Sequence, residues 1–422
     1  MNKPYLRSPN ARRFLLLQGP VGPFFRRLAT MLRAEGAHVE KVNFNGGDAL
    51  FFPGADHVFR GHAETWPTFL EELLASGRFD EVVLFGDCRP LHAAAREVCA
   101  ARGVSVAVFE EGYVRPSHVT LERGGVNAFS TLPRDPAFYT RSPRTSPTAG
   151  SPVGNAYWFM ASWAVLYYAA AWLQRGRFVH YEHHRPLTPR EALPWVRSIA
   201  QKHRFGLRER GVERKLVERF RGRYFLVPLQ VHNDSQVTVH SDFASVEEFI
   251  RTVIASFGAH APSDTVLALK HHPLDRGYHD YTRVICEAAA AAGVDGRVHY
   301  LHDQHLPTLL EHARGAVVIN STVGVQALDH RTPLKVCGRA LYDMPGLTYS
   351  GPLDAFWNDA QSFAVDDGLY DAFRARLVAS TQLVGSFYRG SIALHAPVAE
   401  AEARSPSPPA DLRWLAPERA AE

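Results

Sequence analysis

The chain has 422 residues, 46% of them hydrophobic and 21% charged, with 47 basic against 43 acidic side chains and a net charge of +4. That length exceeds what a single core usually supports, so two domains of about 150–200 residues are expected, and the near-balance of charge gives no reason to expect a nucleic-acid partner. Cys88, Cys99, Cys286 and Cys337 are widely spaced and include no CxxC pair, which excludes a dense disulfide framework and reads as reduced thiols of a cytoplasmic protein.

Basic residues precede only the short apolar run Phe14–Gln18, too brief for a secretory signal, so this run is expected to be the first strand. Gly19, Gly22 and two prolines turn into a helix over Phe24–Glu35; the strand HVEKVNF follows and opens into the glycine turn NGGD. A helix over Trp66–Ala75 leads to VVLFGDCRP, a helix over Leu91–Gly103, and VSVAVFEEGYVRP, two β-rich runs that each end in acid beside glycine. This alternation predicts a parallel, Rossmann-like N-terminal domain over 1–150. Pro, Ser, Thr and Arg mark 129–152 as a linker. Residues 151–222 read as a helical, aromatic and basic connecting region, with a helix start at Thr188, Pro189 and Glu191. A second alternation, YFLVPLQ, TVLALKHHP, RVHYL, AVVINS and LKVCG, predicts a second Rossmann-like domain over 223–390, with a last helix, Leu369–Tyr388, crossing back to the first. Residues 391–422 are rich in Ala, Pro, Glu and Ser and are expected to be disordered.

Within the connecting region, Ala156–Leu173 carries no charge over eighteen residues, the lower limit for a membrane span. A buried core helix and a helix lying in a membrane surface, with Arg175 and Arg177 on lipid headgroups, fit the same composition. A span would put the two domains on opposite sides of the membrane and is the least expected of the three.

In open parallel sheets ligands bind beyond the carboxyl ends of the strands, and Asp87, Glu110 and Glu111 fall at such ends. Adjacent strand residues point to opposite faces, so Glu110 and Glu111 share a cleft only if Gly112 turns the backbone. No GxGxxG follows a strand, so no dinucleotide cofactor is expected. In the second domain Asn320, Ser321 and Thr322 open a helix, whose N–H groups and dipole favour an anion, although an ordinary N-cap has the same composition. Lys270 and His272 add positive charge at a neighbouring strand end, suggesting a phosphate or carboxylate pocket. His271 and His272, like His183 and His184, are adjacent and lack HxH or HxxxH spacing, so no metal is expected.

LLLQGPVGPFFRRLA, VNFNGGD, LFGDCRP, FEEGYVRPSHVTLERGGVN, LPRDP and WLQRGRFVHYEHHRPLTPREALPWVRS closely resemble the KpsS (LipB) family of capsule polysaccharide proteins, and VPLQVHNDSQ, KHHP and NSTVGVQALDHRTPLKVCGRALYDMPGLT resemble the donor domain shared with the related KpsC family. The resemblance covers Phe14 to about Tyr388. It implies a GT-B-like fold, two Rossmann-like domains facing a cleft, and a retaining β-Kdo glycosyltransferase that moves Kdo from CMP-Kdo to a (lyso)phosphatidylglycerol acceptor, starting the poly-Kdo linker of a capsule. Where KpsC-type proteins carry Glu-Asp-Gly, this chain has Glu110, Glu111 and Gly112, which assigns Glu111 as nucleophile or charge stabiliser, Asp87 as base and Glu110 as support. Gln230, Lys270, His272, Pro273, Asn320, Ser321 and Thr322 are expected at the donor, and Gln18, Asn45, Asp48 and Arg115 at the acceptor. The inner membrane surface, a KpsC-type transferase and a capsule ABC transporter are implied as partners, with no cofactor. A non-catalytic assembly or export factor binding lipid-linked glycan, and a transferase using a UDP- or GDP-sugar, are the competing readings.

Overall fold

The computed structural model describes residues 12–115, 117–141, 156–183 and 192–390; the expected disordered tail and the helix start at 188–191 lie outside them. The strands are β1 Arg13–Leu16, β2 His38–Asn43, β3 His57–Val58, β4 Glu81–Phe85, β5 Ser105–Glu111, β6 His118–Arg123, β7 Tyr224–Pro228, β8 Val266–Lys270, β9 Val298–Leu301, β10 Gly315–Val318, β11 Leu334–Val336 and β12 Gln382–Val384. The chain forms two compact α/β units. Among described residues the first takes in 12–132, 156–183 and 374–390, and the second 133–141 and 192–373.

The first unit holds a seven-stranded sheet in the order β12-β6-β5-β4-β1-β2-β3. From β3 to β5 the strands are parallel, and β6 and β12 are added antiparallel. A wholly parallel sheet was the expectation for this unit; the β5–β6 hairpin departs from it. The alternation of side chains puts Val82, Leu84, Val106 and Val108 in the core on one face and Val83, Ala107 and Phe109 in the core on the other. The last helix ends at Thr381, short of the expected Tyr388, and the chain extends into β12. There Leu383 and Val384 pair with Val119 and His118, and Phe387 packs edge-on against Phe24 and Phe85.

The second unit is a five-stranded parallel sheet, β11-β10-β7-β8-β9. All five residues of β7 and of β8 are buried, as strands covered by helices on both faces must be. The region expected as a connector divides between the units. Helix Tyr157–Leu173 belongs to the first and helix Ala192–Arg208 to the second.

Helix Tyr157–Leu173 is neither wholly core nor a span. No helix among the described residues is long and apolar enough to cross a membrane. Tyr167, Ala170 and Ala171 are buried, whereas Trp158 is 74% and Leu173 71% exposed. The buried side lies on helix Gly46–Phe51, the NGGD segment. A Cβ on Gly46 would fall 2.4 Å from the Ala170 carbonyl oxygen, and one on Gly47 2.5 Å from the Tyr167 ring. The glycine pair is there for close approach of two helices, not for a left-handed turn.

Candidate active site

In the first unit the carboxyl edge gathers the acids that the sequence singled out. β5 continues through Glu111, with Glu110 opposite Thr120 and Glu111 opposite Val119, so the two side chains stand on opposite faces. The bend comes only at Gly112, where a Cβ would lie 2.2 Å from the His118 carbonyl oxygen; the two acids are therefore not brought into one pocket. Glu110 keeps some contact with solvent, but burial pushes its carboxyl up to about 7, and its Oε1 accepts the Glu111 N–H at 2.9 Å. Glu111 accepts a hydrogen bond from the Tyr388 hydroxyl at 3.1 Å. Burial, then the Glu111 charge, raises Tyr388 well above the ordinary tyrosine value, so it stays a donor.

Asp87 lies two residues beyond β4, past Gly86 with φ of +70°. It is fully buried, accepts the Val126 N–H at 2.9 Å, and its carboxyl is raised by burial. That bond holds the loop after β6. A third buried carboxyl, Glu122, is pushed up to about 7 by burial and accepts hydrogen bonds from Tyr113 at 2.7 Å and from Ser130. Neither Glu122 nor Tyr388 carries a local signal in the sequence, because β6 and the segment after β12 reach this edge only through strand pairing.

Three of the four expected acceptor residues share one hydrogen-bond network. Gln18 Nε2 donates to Tyr181 at 2.8 Å, Tyr167 at 3.0 Å and Asp48 at 3.3 Å, while Arg89 donates to Gln18 Oε1 at 3.1 Å. Asn45 Nδ2 donates to Tyr167 at 2.7 Å, its Oδ1 caps Gly47 and Asp48, and Tyr167 donates to Asp48 at 3.1 Å. Gln18, Asn45 and Asp48 thus anchor the aromatic helix. Arg115 is apart from them, exposed, with its Nε donating to the Gly112 carbonyl at 3.2 Å.

In the second unit the expected donor residues sit at the carboxyl ends of β7, β8 and β10, and several are committed to the scaffold. Gln230 donates to Asp234 at 3.0 Å. Lys270, lowered by burial, gives its ammonium to the His302 carbonyl at 3.2 Å. The Asn320 amide donates to the carbonyls of Gln236 at 2.9 Å and His240 at 3.2 Å. His272 is partly exposed and accepts the Leu274 N–H at 3.2 Å, with Pro273 exposed beside it. Ser321 and Thr322, also partly exposed, begin helix Val323–Asp329, and Ser321 Oγ accepts the Val323 N–H at 3.2 Å.

A group not anticipated from sequence lies beside these residues. Asp275, with no exposed surface, accepts from His232 Nδ1, from the His232 N–H at 3.0 Å and from Tyr281 at 3.3 Å. The carboxylate fixes the His232 tautomer with the proton on Nδ1. HND in VPLQVHNDSQ was a visible signal; its partner, 43 residues later, was not. Neighbouring His271 is buried, held by Tyr300 at 2.6 Å and pushed down to about 4 by burial, so it is a neutral core residue.

A Rossmann-like sheet in each unit, with polar residues gathered at the carboxyl ends of both, defines an α/β protein built to bind at those edges. Residues 80–388 match the capsule polysaccharide biosynthesis protein family, and the chain belongs to it. Within that family it stands with the KpsS and LipB proteins. It is 40% identical over 389 residues to the capsule polysaccharide export protein KpsS of Escherichia coli, covering 90% of this chain and 97% of the relative. It is 41% identical over 388 residues to the capsule polysaccharide modification protein LipB of Neisseria meningitidis, covering 90% and 92%. Among solved structures, the β-Kdo 2,7 transferase KpsC of Thermosulfurimonas dismutans aligns over 90% of this chain and 95% of its own, at 14% identity and a TM-score of 0.43.

Proposed function

We propose that the chain is a GT-B-like glycosyltransferase of capsule assembly that transfers Kdo, with retention, from CMP-Kdo to a (lyso)phosphatidylglycerol acceptor at a membrane surface. The observation that carries this reading is the division of roles among the acids. Asp87 is tied to backbone, Glu110 is driven toward neutrality by burial, and Glu111 is left at the carboxyl edge of β5 with a tyrosine hydroxyl orienting it. In the proposed reaction the bond between the anomeric carbon of Kdo and the phosphate oxygen breaks, CMP departs with the electron pair, and an acceptor hydroxyl adds to the same carbon on the face CMP left, passing its proton to the released phosphate. Glu111 meets the positive charge that develops at that carbon, as nucleophile or as electrostatic partner. His272 with Ser321 and Thr322 would hold the phosphate or carboxylate of the donor. CMP is already a good leaving group, so no metal is assigned a step.

The exposed apolar side of helix Tyr157–Leu173, with Arg175 and Arg177 following, suits a lipid surface. The word "export" in the name of the E. coli relative supports a second reading, a non-catalytic factor that binds lipid-linked glycan. Incubating the purified protein with lysophosphatidylglycerol and CMP-Kdo, or a UDP- or GDP-sugar, and weighing the lipid by mass spectrometry separates them. Addition of one Kdo mass only with CMP-Kdo is expected. Product from another sugar nucleotide overturns the donor assignment, and binding of lipid-linked glycan with no product from any donor favours the export factor.

A further inference from the structure

In the second unit Asp275 has no exposed surface, yet its two oxygens hold His232 twice, Oδ2 accepting the backbone N–H at 3.0 Å and Oδ1 the ring Nδ1–H. The Tyr281 hydroxyl adds a third donor, to Oδ2 at 3.3 Å. His232 lies in the loop from β7 to helix Ser235–Val239, and Asp275 ends the single turn Pro273–Asp275 that follows His272 after β8. β7 and β8 are parallel neighbours, so both loops leave one sheet edge, the edge where the donor is expected. Stacking sets the plane of the imidazole, with the His279 ring at 4.2 Å and the Tyr278 ring at 5.8 Å. Tyr278 is itself held by the Trp195 Nε1–H at 3.0 Å. The His232 side chain is 26% exposed, and its Nε2 has no hydrogen-bond partner among the described residues.

With its Nδ1–H on a carboxylate, the neutral ring presents a lone pair at Nε2, an acceptor fixed in direction by the buried acid. A phosphate oxygen also only accepts, so this nitrogen is wrong for the donor's phosphate and right for an N–H group. The pyrimidines differ at just this point. Cytosine carries an amino donor where uracil carries a carbonyl acceptor. We infer that His232 Nε2 accepts a hydrogen bond from the cytosine amino group of the donor nucleotide, and that Asp275, by holding the tautomer, makes the site choose cytidine over uridine. Resting on the CMP-sugar reading above, His232 is a specificity-determining residue and Asp275 a positioning residue that acts through it. A staple between the two loops would use only the backbone N–H and Nδ1, so the two roles separate at Nε2.

Calorimetric titration of the full chain with CMP, UMP and deoxy-CMP at pH 8.5, above the ordinary histidine value of about 6.5, tests this. Wild type should bind CMP on the order of thirtyfold more tightly than UMP, because uracil sets acceptor against acceptor and leaves both unpaired. His232→Asn keeps an amide donor for Asp275 but has no atom at the Nε2 position, and the ratio should fall below about threefold. Asp275→Asn should reverse it. With the amide oxygen kept toward the His232 N–H and Tyr281, its NH2 donates to Nδ1, the ring proton moves to Nε2, and UMP becomes the better ligand. Should Asp275→Asn fail to fold, the ratio in His232→Asn decides alone. Equal loss of CMP and UMP affinity in the variants, with the ratio kept, is the behaviour of a staple and overturns the inference. UMP bound as tightly as CMP by wild type, or neither bound, overturns it as well. If His232→Asn weakens CMP but not deoxy-CMP, the contact is to the ribose hydroxyl and the assignment to the base falls. A cytidine preference that depends on His232 without any Kdo transfer leaves the inference standing and removes the transferase reading, whereas Kdo transfer by a chain that binds CMP and UMP alike does the reverse.

Discussion

Tyr167→Phe isolates what ties the aromatic helix to the first unit. The ring remains, stacked at 6.4 Å from Phe51, and only the hydroxyl goes. That hydroxyl accepts from Asn45 at 2.7 Å and Gln18 at 3.0 Å and donates to Asp48 at 3.1 Å. Gln18 keeps Tyr181, and Asp48 keeps the Phe44 N–H at 3.0 Å. Asn45 Nδ2 loses its 2.7 Å acceptor inside a residue that is 1% exposed and keeps the Tyr181 hydroxyl, while Asp48 Oδ1 loses the Tyr167 donor. A typical net hydrogen bond contributes about 1 kcal/mol and three are lost, so a total loss of about 2–3 kcal/mol is expected. For a unit of this size that lowers the melting temperature by on the order of 4–12 °C. Differential scanning calorimetry would read it, with Tyr157→Phe on the exposed side of the same helix as a control expected to change stability by less than about 0.5 kcal/mol. A Tyr167→Phe protein as stable as wild type would refute the network as the anchor.

Gly46→Ala should also destabilise, because the added methyl meets the backbone oxygen of Ala170, which cannot yield like a side chain; overpacking costs about 1–3 kcal/mol against the roughly 1 kcal/mol that alanine gains in helix propensity. Glu122 should make stability fall as pH rises. Its carboxyl, ordinarily near 4.5, is held protonated up to about 7 in the folded chain by burial, so the native state binds more protons than the unfolded between those values. The stability it lends is complete below about pH 4.5 and lost through about pH 7, a drop of about 3 kcal/mol that Glu122→Gln should flatten in urea titrations at pH 5 and 8. For the membrane contact, Trp158→Ser with Leu166→Ser should weaken co-sedimentation with anionic vesicles at unchanged melting temperature, since both positions are exposed; undiminished sedimentation would locate the contact elsewhere. His272→Ala should lose CMP affinity by calorimetry without unfolding, and unchanged affinity would remove His272 from the donor site.

The two α/β units were legible because strand runs such as VVLF and LALK alternate with amphipathic helices at the expected periods. The aromatic helix was not resolved because Tyr157–Leu173 is apolar all round, so its pattern cannot say which side is covered; Gly46 and Gly47, more than a hundred residues earlier, decide that. β12 was read as helix because QLV continues a helical stretch and becomes a strand only by pairing with β6, some 260 residues away. The same distance hid Tyr388 from Glu111. Within the site, residue types were visible but their commitments were not. Asn320 and Lys270 look like anion ligands in sequence, yet backbone carbonyls accept their hydrogen bonds. Glu110 and Glu111 differ by one position, and strand alternation alone puts them on opposite faces of the sheet.

The central claim is that Glu111 acts on the donor's anomeric carbon, and Kdo transfer from CMP-Kdo to lysophosphatidylglycerol by Glu111→Gln beside wild type tests it most directly. The amide keeps the shape and can still accept from Tyr388, but carries no charge. Turnover should fall by a factor on the order of 100 or more, with CMP affinity and melting temperature nearly unchanged. Transfer by Glu111→Gln at close to the wild-type rate would contradict the account.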